Sequence, residues 1–154
     1  MQQQYSELVQ NYHSTFVQSP HFEGKMLIAT QDLEKGVIVE KFEGQTINYT
    51  DVPEDKICIA IYVGNNNGTN KWIVSDTNAI YANHSCDPNC IIDDDLHIVT
   101  IRPVKKGEEL TYSYNILEKG EKTEDFFWDP RWNFECKCNS KKCRKNIDTY
   151  IEMN

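Results

Sequence analysis

Apolar positions fall along the chain in short groups separated by polar turns. Tyr5, Leu8, Val9, Tyr12 and Phe16 recur at the spacing of one helix face. Ser19-Pro20 stops that pattern, because the residue before a proline avoids helical backbone. The spacing predicts a short helix within residues 1–17. The pattern then changes character. Met26-Leu27-Ile28-Ala29 reads as a buried strand, Glu34-Lys35-Gly36 as a turn, and residues 37–42 as a β-branched strand that Gly44 ends. Residues 57–63 predict another strand, closed by the turn Asn65-Asn66-Asn67-Gly68, and Trp72-Ile73-Val74 predicts a third. Residues 75–90 have no period and are rich in Asn, Asp, Ser and Cys, which marks a mid-domain loop of the kind that carries function. Residues 98–101 and 110–114 predict strands on either side of the turn Lys105-Lys106-Gly107-Glu108. The charged stretch 118–129 reads as a surface connection. Short strands without regular intervening helices predict a mainly β fold (α+β with few short helices) and exclude a βαβ architecture.

Composition narrows the class. A chain of 154 residues is one domain, able to bury roughly 68–70% of its unfolded surface. Sixteen Lys and Arg stand against twenty-four Asp and Glu, a net charge of −8. Direct nucleic-acid binding is disfavoured by that balance, since such binding rests on neutralising phosphates. A basic protein or peptide partner suits it. The charge is uneven: residues 136–145 carry five positive charges and no acid, which leaves −13 on the rest. No apolar run approaches the roughly 20 residues of a membrane span. Met1-Gln2-Gln3-Gln4-Tyr5 lacks the basic flank and apolar run of a secretory signal. The expected setting is nuclear or cytoplasmic, hence reducing, where six cysteines are not a disulfide framework.

Cysteine spacing carries the first chemical signal. Cys136, Cys138 and Cys143 put three thiols within eight residues, a standard way to hold Zn²⁺. A fourth ligand is needed, and Cys58, Cys86, Cys90 and His84 are candidates. A ligand from residues 84–90 would staple the small, charged tail to the central loop.

Three stretches then occur in a telling order: Asn83-His84-Ser85-Cys86-Asp87-Pro88-Asn89, Gly107-Glu108-Glu109-Leu110-Thr111-Tyr112-Ser113-Tyr114, and Phe134-Glu135-Cys136-Lys137-Cys138 through Cys143-Arg144. Together they resemble the SET-domain protein-lysine methyltransferases with a C-terminal post-SET zinc-binding segment. The upstream residues 24–36 resemble the first strands of that family, and the likeness covers about residues 19–147. The resemblance implies a SET-domain β-clip fold in which the Asn-His-Ser-Cys loop threads a neighbouring segment as a pseudoknot. It divides the chain into an N-terminal helical segment (1–18), a SET domain (19–117) and a post-SET segment with a zinc knuckle (118–154). It also implies transfer of a methyl group from S-adenosyl-L-methionine to a lysine amine in a basic tail such as a histone's.

Residue roles follow from the same resemblance. Tyr114 matches the catalytic tyrosine, although its alternation with Leu110 and Tyr112 also fits a core strand. Tyr112 matches the position whose hydroxyl limits room for successive methyl groups, which implies mono- or di-methylation. Phe42 stands where many members carry a channel-lining tyrosine, so Phe42 and Tyr112 are the expected substrate channel. Gly24, Lys25 and Met26 occupy the Gly-x-Gly positions that approach the cofactor, with Met26 replacing the second glycine. Asn83, His84, Tyr114 and Phe134 complete the expected cofactor set. Cys86 matches the fourth zinc ligand, joining Cys136, Cys138 and Cys143. Cys58 and Cys90 read as small buried hydrophobes. Trp128, Trp132 and Phe134 either flank the adenine or anchor the tail, and Tyr150 or Trp128 closes the channel.

Three functions compete on these residues. The first is a protein-lysine methyltransferase, with a histone or a non-histone substrate. The second is a catalytically inactive SET-type binding module, for which Met26 and Phe42 are the departures. The third is a zinc-knuckle nucleic-acid binder, which the net charge opposes.

Overall fold

The computed structural model describes residues 12–66 and 68–152. From its first element, strand propensity prevails over the helical spacing. Strand β1 (Ser14–Gln18) pairs antiparallel with β2 (Lys25–Ala29), setting Thr15 opposite Ile28, Phe16 opposite Leu27 and Val17 opposite Met26. The helix expected over residues 1–17 is therefore wrong where residues 14–17 are concerned, while Tyr5, Leu8 and Val9 lie outside the described residues. Thr15 and Val17 are β-branched and find a complete ladder of partners on β2, which outweighs a helical period carried by few residues.

On β2 the alternation sorts residues by face. Leu27 and Ala29 point into the core, while Met26 and Ile28 are half-buried on the other side. Leu110 N–H donates to the Leu27 carbonyl at 2.8 Å and Gly107 N–H to Ala29 at 2.8 Å, so residues 107–110 are stitched along β2. Strand β3 (Ile38–Lys41) leads through Phe42 to Gly44. A Cβ at Gly44 would collide with the Val74 carbonyl, which is why the chain turns there on a glycine.

Residues beyond Gly44 build a second sheet from β4 (Thr46–Ile47), β5 (Ile61–Asn66) and β6 (Thr69–Ile73), in the order β4-β6-β5. The strand expected over 57–63 starts only at Ile61. Pro53 opens a 3-10 turn over Glu54–Lys56, and the Lys56 carbonyl then accepts from Ile59 and Ala60, holding 57–60 in turns. Ile57 consequently faces the interior and Cys58 the solvent.

The loop expected over 75–90 contains a 3-10 turn, Asn78–Tyr81, and the short strand β7 (Asn83–His84). Next come β8 (Cys90–Ile92) and β9 (His97–Thr100), which form a three-stranded sheet with β3 in the order β3-β9-β8. Strand β10 (Thr111–Tyr112) runs parallel to β7. The remaining chain supplies β11 (Ile116–Leu117), β12 (Phe134–Glu135), β13 (Asn146–Ile147) and β14 (Ile151–Glu152). β14 lies parallel to β11, and β12 pairs with β13. Among the described residues the helical elements are all short 3-10 turns, so the fold is mainly β.

Two apolar clusters hold these sheets together. The larger gathers Leu27, Val39, Phe42, Ile98, Leu110 and Tyr112. Each such aliphatic side chain contributes about 1.5–3 kcal/mol on burial. The smaller joins Val52 and Ile57 of the second sheet's region to Trp132 of the C-terminal region, with Tyr49, Trp72, Trp128 and Tyr150 packed against it. The connection 118–129 thus departs from the purely surface segment its charges suggest. Its end turns inward, and Asp129 is only 4% exposed.

Candidate active site and metal centre

Side-chain bonds to distant segments fix both ends of the central loop. The Thr77 hydroxyl donates to the Lys41 carbonyl at 2.5 Å and accepts from Ala79 N–H, capping the turn that delivers residues 82–86. Asn89, 3% exposed, closes the other end. Its Nδ2 donates to the Glu108 carboxylate at 3.0 Å and the Glu109 carbonyl at 2.8 Å, and its Oδ1 accepts from Thr111 N–H at 2.9 Å. Residues 83–89 are therefore fastened to 108–112 by side chains as well as by the parallel β7–β10 pairing.

That fastening brings the tyrosine pair against the loop. The rings of Tyr112 and Tyr114 lie 4.8 Å apart. Tyr114 Oη donates to the Ala82 carbonyl at 2.6 Å, and its backbone N–H donates to His84 Nδ1 at 2.9 Å. The latter bond explains why the strand expected over 110–114 shortens to Thr111–Tyr112: the Tyr114 amide serves a side chain, not a ladder. Burial raises both phenol pKa values, and the Glu109 carboxylate adds to the effect at Tyr114, so both stay protonated near neutral pH.

His84 stands between Tyr114 and Phe134, with its ring centroid 5.3 Å from each. Burial, then the nearby Arg144 guanidinium, lowers its pKa to about 4, so the imidazole is neutral. Nδ1 accepts from Tyr114, and Nε2 lies 3.3 Å from Cys86 Sγ. Both ring nitrogens are committed within the chain, leaving only backbone groups of His84 for a bound molecule.

Asn83 is similarly committed. Its Nδ2 donates to the Lys25 carbonyl at 3.1 Å and the Glu109 carboxylate at 3.0 Å, so a ligand would meet Oδ1, an acceptor suited to an ammonium group. The Lys25 ammonium sits 4.8 Å over the Phe16 ring and 5.1 Å from Tyr81. Gly24 is tied into the preceding turn, with its carbonyl accepting from Ser19 N–H and Gln18 Nε2. Its Cβ, if present, would meet Phe22 Cε2 at 2.9 Å. Met26 lies opposite Val17 on the face of β2 turned from the core.

Four cysteines meet beside His84. One sulfur from each of Cys86, Cys136, Cys138 and Cys143 lies within 4.8 Å of the other three. Four thiolates at about 2.3 Å from a tetrahedral Zn²⁺ stand about 3.8 Å from one another. The Cys86–Cys136 separation of 3.7 Å fits that spacing, and the cluster could hold a zinc ion. The turn between the tail cysteines carries positive φ at Asn139, and Lys145 after them does too. Arg144 N–H donates to Cys86 Sγ at 3.4 Å, and Cys136 N–H to the Lys145 carbonyl at 2.7 Å. Burial tends to raise the Cys138 thiol pKa, yet bonds from Ser140 and the Cys86 backbone outweigh it and bring it down to about 6.

The other expected residues divide between this assembly and the apolar clusters. Phe42 is 2% exposed in the main core and meets Tyr112 edge-on at 6.0 Å. Cys90 is fully buried, as expected, but Cys58 is exposed, and its thiol donates to the Arg131 carbonyl at 3.3 Å. Trp128 and Trp132 belong to the second cluster with Trp72, while Phe134 packs on His84. Tyr150 Oη donates to the Phe127 carbonyl at 2.5 Å. No motif in the sequence marks Tyr49, Asp129 and Arg131, which form a further polar contact. The Asp129 carboxylate accepts from Tyr49 Oη and from Arg131, but 80 residues separate Tyr49 from Asp129, and no local spacing signals the pair.

Comparison with known proteins agrees with this geometry. The SET-domain family profile matches residues 24–115. The chain is 32% identical over 142 residues to the histone-lysine N-methyltransferase trithorax of Drosophila virilis, covering 83% of this chain and 3% of that protein. It is 29% identical over 150 residues to human histone-lysine N-methyltransferase 2D, covering 86% and 2%. Against histone-lysine N-methyltransferase ASHH3 of Arabidopsis thaliana it is 26% identical over 140 residues, covering 80% and 35%. The chain thus spans a small part of the length of the first two of these relatives. With the profile covering more than half of its length and a relative 32% identical over 83% of it, the chain belongs to the SET-domain family.

Proposed function

We propose that this domain is an S-adenosyl-L-methionine-dependent protein-lysine N-methyltransferase that acts on a lysine in a basic segment, such as a histone tail, and adds one or two methyl groups. The observation that carries the reading is the Tyr112–Tyr114 pair, packed 4.8 Å ring to ring and bonded through Tyr114 to His84 of the central loop. The net charge of −8 and the names of the relatives, histone-lysine N-methyltransferases, support a basic substrate. A non-histone protein with a Lys-rich segment meets the same charge requirement. No helix among the described residues is long and apolar enough to cross a membrane, and a nuclear or cytoplasmic setting is part of the proposal.

S-adenosyl-L-methionine, when bound, supplies the methyl group on its sulfonium. Gly24, Lys25, Met26, Asn83, His84 and Phe134 would hold it, with Asn83 Oδ1 as acceptor for its ammonium and the Phe134 ring as an apolar face. A lysine amine must arrive neutral to attack. Tyr112 and Tyr114 are both protonated near neutral pH, so neither is the base. An aromatic, water-poor channel instead disfavours the ammonium, and its proton passes to solvent before the amine is enclosed. Tyr114 Oη donates its hydrogen bond to the Ala82 carbonyl, which leaves the oxygen lone pairs as a fixed acceptor for the amine. Transfer to that amine would exchange the donor's S–C bond for an N–C bond, giving a thioether and a methylated lysine. Tyr112, 9% exposed, crowds that amine and limits further transfers. Zinc on Cys86, Cys136, Cys138 and Cys143 would fix the tail against the loop and take no part in the transfer.

The test is calorimetric titration of zinc-loaded protein with S-adenosyl-L-methionine, followed by labelled methyl transfer into histones and whole-cell lysate. One-to-one binding with transfer that Tyr114→Phe slows about 10²-fold is expected. Folded, zinc-loaded protein that binds no cofactor would overturn the enzyme reading in favour of a binding module.

A further inference from the structure

His84 touches both halves of the site through one ring. Its Nδ1 lies 2.9 Å from the Tyr114 backbone nitrogen, and a backbone nitrogen can only donate. Nδ1 must therefore be the unprotonated acceptor, and the proton of a neutral imidazole then sits on Nε2. Nε2 lies 3.3 Å from Cys86 Sγ, so the ring donates an N–H to that sulfur. Tyr114 and Phe134, each 5.3 Å from the ring and tilted steeply to it, hold the imidazole in this orientation. Cys86 Sγ receives a second N–H from the Arg144 backbone at 3.4 Å. A sulfur that accepts two N–H groups is suited to be a thiolate. N–H donation to a metal-bound thiolate orients it and tunes its hold on the metal.

We infer that His84 is a positioning residue for the metal centre: it donates Nε2–H to the Cys86 thiolate while accepting from Tyr114, and so ties the cysteine cluster to the segment bearing the tyrosine pair. The inference rests on the reading of the four cysteines as a zinc site. It gives the His84 ring a task separate from cofactor contact, which falls to the backbone at this position.

Two substitutions divide the ring's two bonds. His84→Asn keeps an acceptor near the Nδ1 position and loses the donor toward Cys86. His84→Gln extends a donor toward the Nε2 position and loses the acceptor for Tyr114. Zinc-loaded proteins are mixed with excess chelator, and release is followed with a zinc-responsive dye. His84→Asn should release zinc about tenfold faster than the parent, and His84→Gln within about twofold of it. Equal release by the two variants, fast or slow, would overturn the inference. A second measurement needs no variant: a long-range proton–nitrogen correlation on the parent protein reads the His84 tautomer. Nε2–H is expected, and Nδ1–H would overturn the inference even if both variants failed to fold. Parent protein that takes up no zinc would remove the zinc reading itself, a result distinct from a zinc-loaded parent with the wrong tautomer.

Discussion

Tyr49 and Asp129, 80 residues apart in the chain, meet in a 2.7 Å hydrogen bond from the Tyr49 hydroxyl to Asp129 Oδ2. Tyr49 belongs to the region inserted between β4 and β5, and Asp129 to the approach to the cysteine-bearing tail. Around the bond the Tyr49 ring packs on Trp72 at 4.8 Å, Phe127 at 5.7 Å and Trp132 at 5.8 Å. Arg131 binds the same carboxylate through Nε and a second guanidinium nitrogen, the latter at 2.7 Å. The second sheet is thereby latched to the tail that carries Phe134 and three of the four clustered cysteines.

Tyr49→Phe keeps the ring and removes only the donor to Asp129. It should lower unfolding stability by about 1.5–3 kcal/mol, the cost of a hydrogen bond to a charged acceptor. Urea unfolding followed by tryptophan fluorescence is the check. The three tryptophans, Trp72, Trp128 and Trp132, all sit in this cluster, so the signal reports the latch directly.

Acid should release the same latch. Hydrogen bonds from Arg131, then Tyr49, hold the Asp129 carboxyl below the ordinary carboxylate range against the opposing effect of burial. A depressed folded-state pKa contributes stability that is complete above the unfolded value near 4 and is lost as pH falls through the folded value. Urea midpoints should therefore fall as pH drops below about 4. Asp129→Asn should start lower at neutral pH and lose less in that acid window. Parallel acid limbs for the two proteins would contradict the assignment.

Zinc removal should loosen the tail and spare the β2–β3–β9 core. Residues 136–145 hold mostly polar and basic side chains and have little apolar surface of their own to bury. Chelation is expected to increase amide exchange over residues 134–147 while leaving the amides of Leu27, Ile98 and Leu110 protected. Uniform loss of protection across both regions would show instead that the zinc holds the whole domain.

Tyr112 and Tyr114 should respond differently to loss of the hydroxyl. Tyr114→Phe removes the fixed acceptor bonded to Ala82 and should cost about 10²-fold in the rate of methyl transfer. In the proposed mechanism the Tyr112 hydroxyl crowds the amine; with Tyr112→Phe the transfer rate should then persist while mass spectrometry of the product shifts toward higher methylation. An unchanged product distribution would assign Tyr112 to packing alone.

Leu110→Ala tests the stitch between β2 and the tyrosine-bearing strand. Leu110 is fully buried, and its N–H donates to Leu27. The cavity should cost about 2–5 kcal/mol. Thermal unfolding monitored by circular dichroism would show it as a lowered midpoint.

Local signals made much of this protein readable before folding. The Cys136-x-Cys138 spacing announced a metal-binding tail because ligands two residues apart meet whatever the rest of the chain does. The apolar run over residues 26–29 marked a buried strand, on which the fold then turned Leu27 and Ala29 inward, and the order of the Asn83–Asn89 and Gly107–Tyr114 stretches carried the family. Tertiary structure decided what depends on partners distant in sequence. Residues 14–18 became a strand because β2 offered a full ladder, which helical spacing could not anticipate. Cys58 turned outward because Pro53 and Lys56 hold 57–60 in turns, and Phe42 withdrew into the core, edge-on to Tyr112. The Tyr49–Asp129 latch and the two bonds of the His84 ring exist only because the fold brings together groups that chain spacing keeps apart. Periodicity and motif spacing record what a residue needs from its neighbours along the chain, whereas contacts across the fold are set by packing.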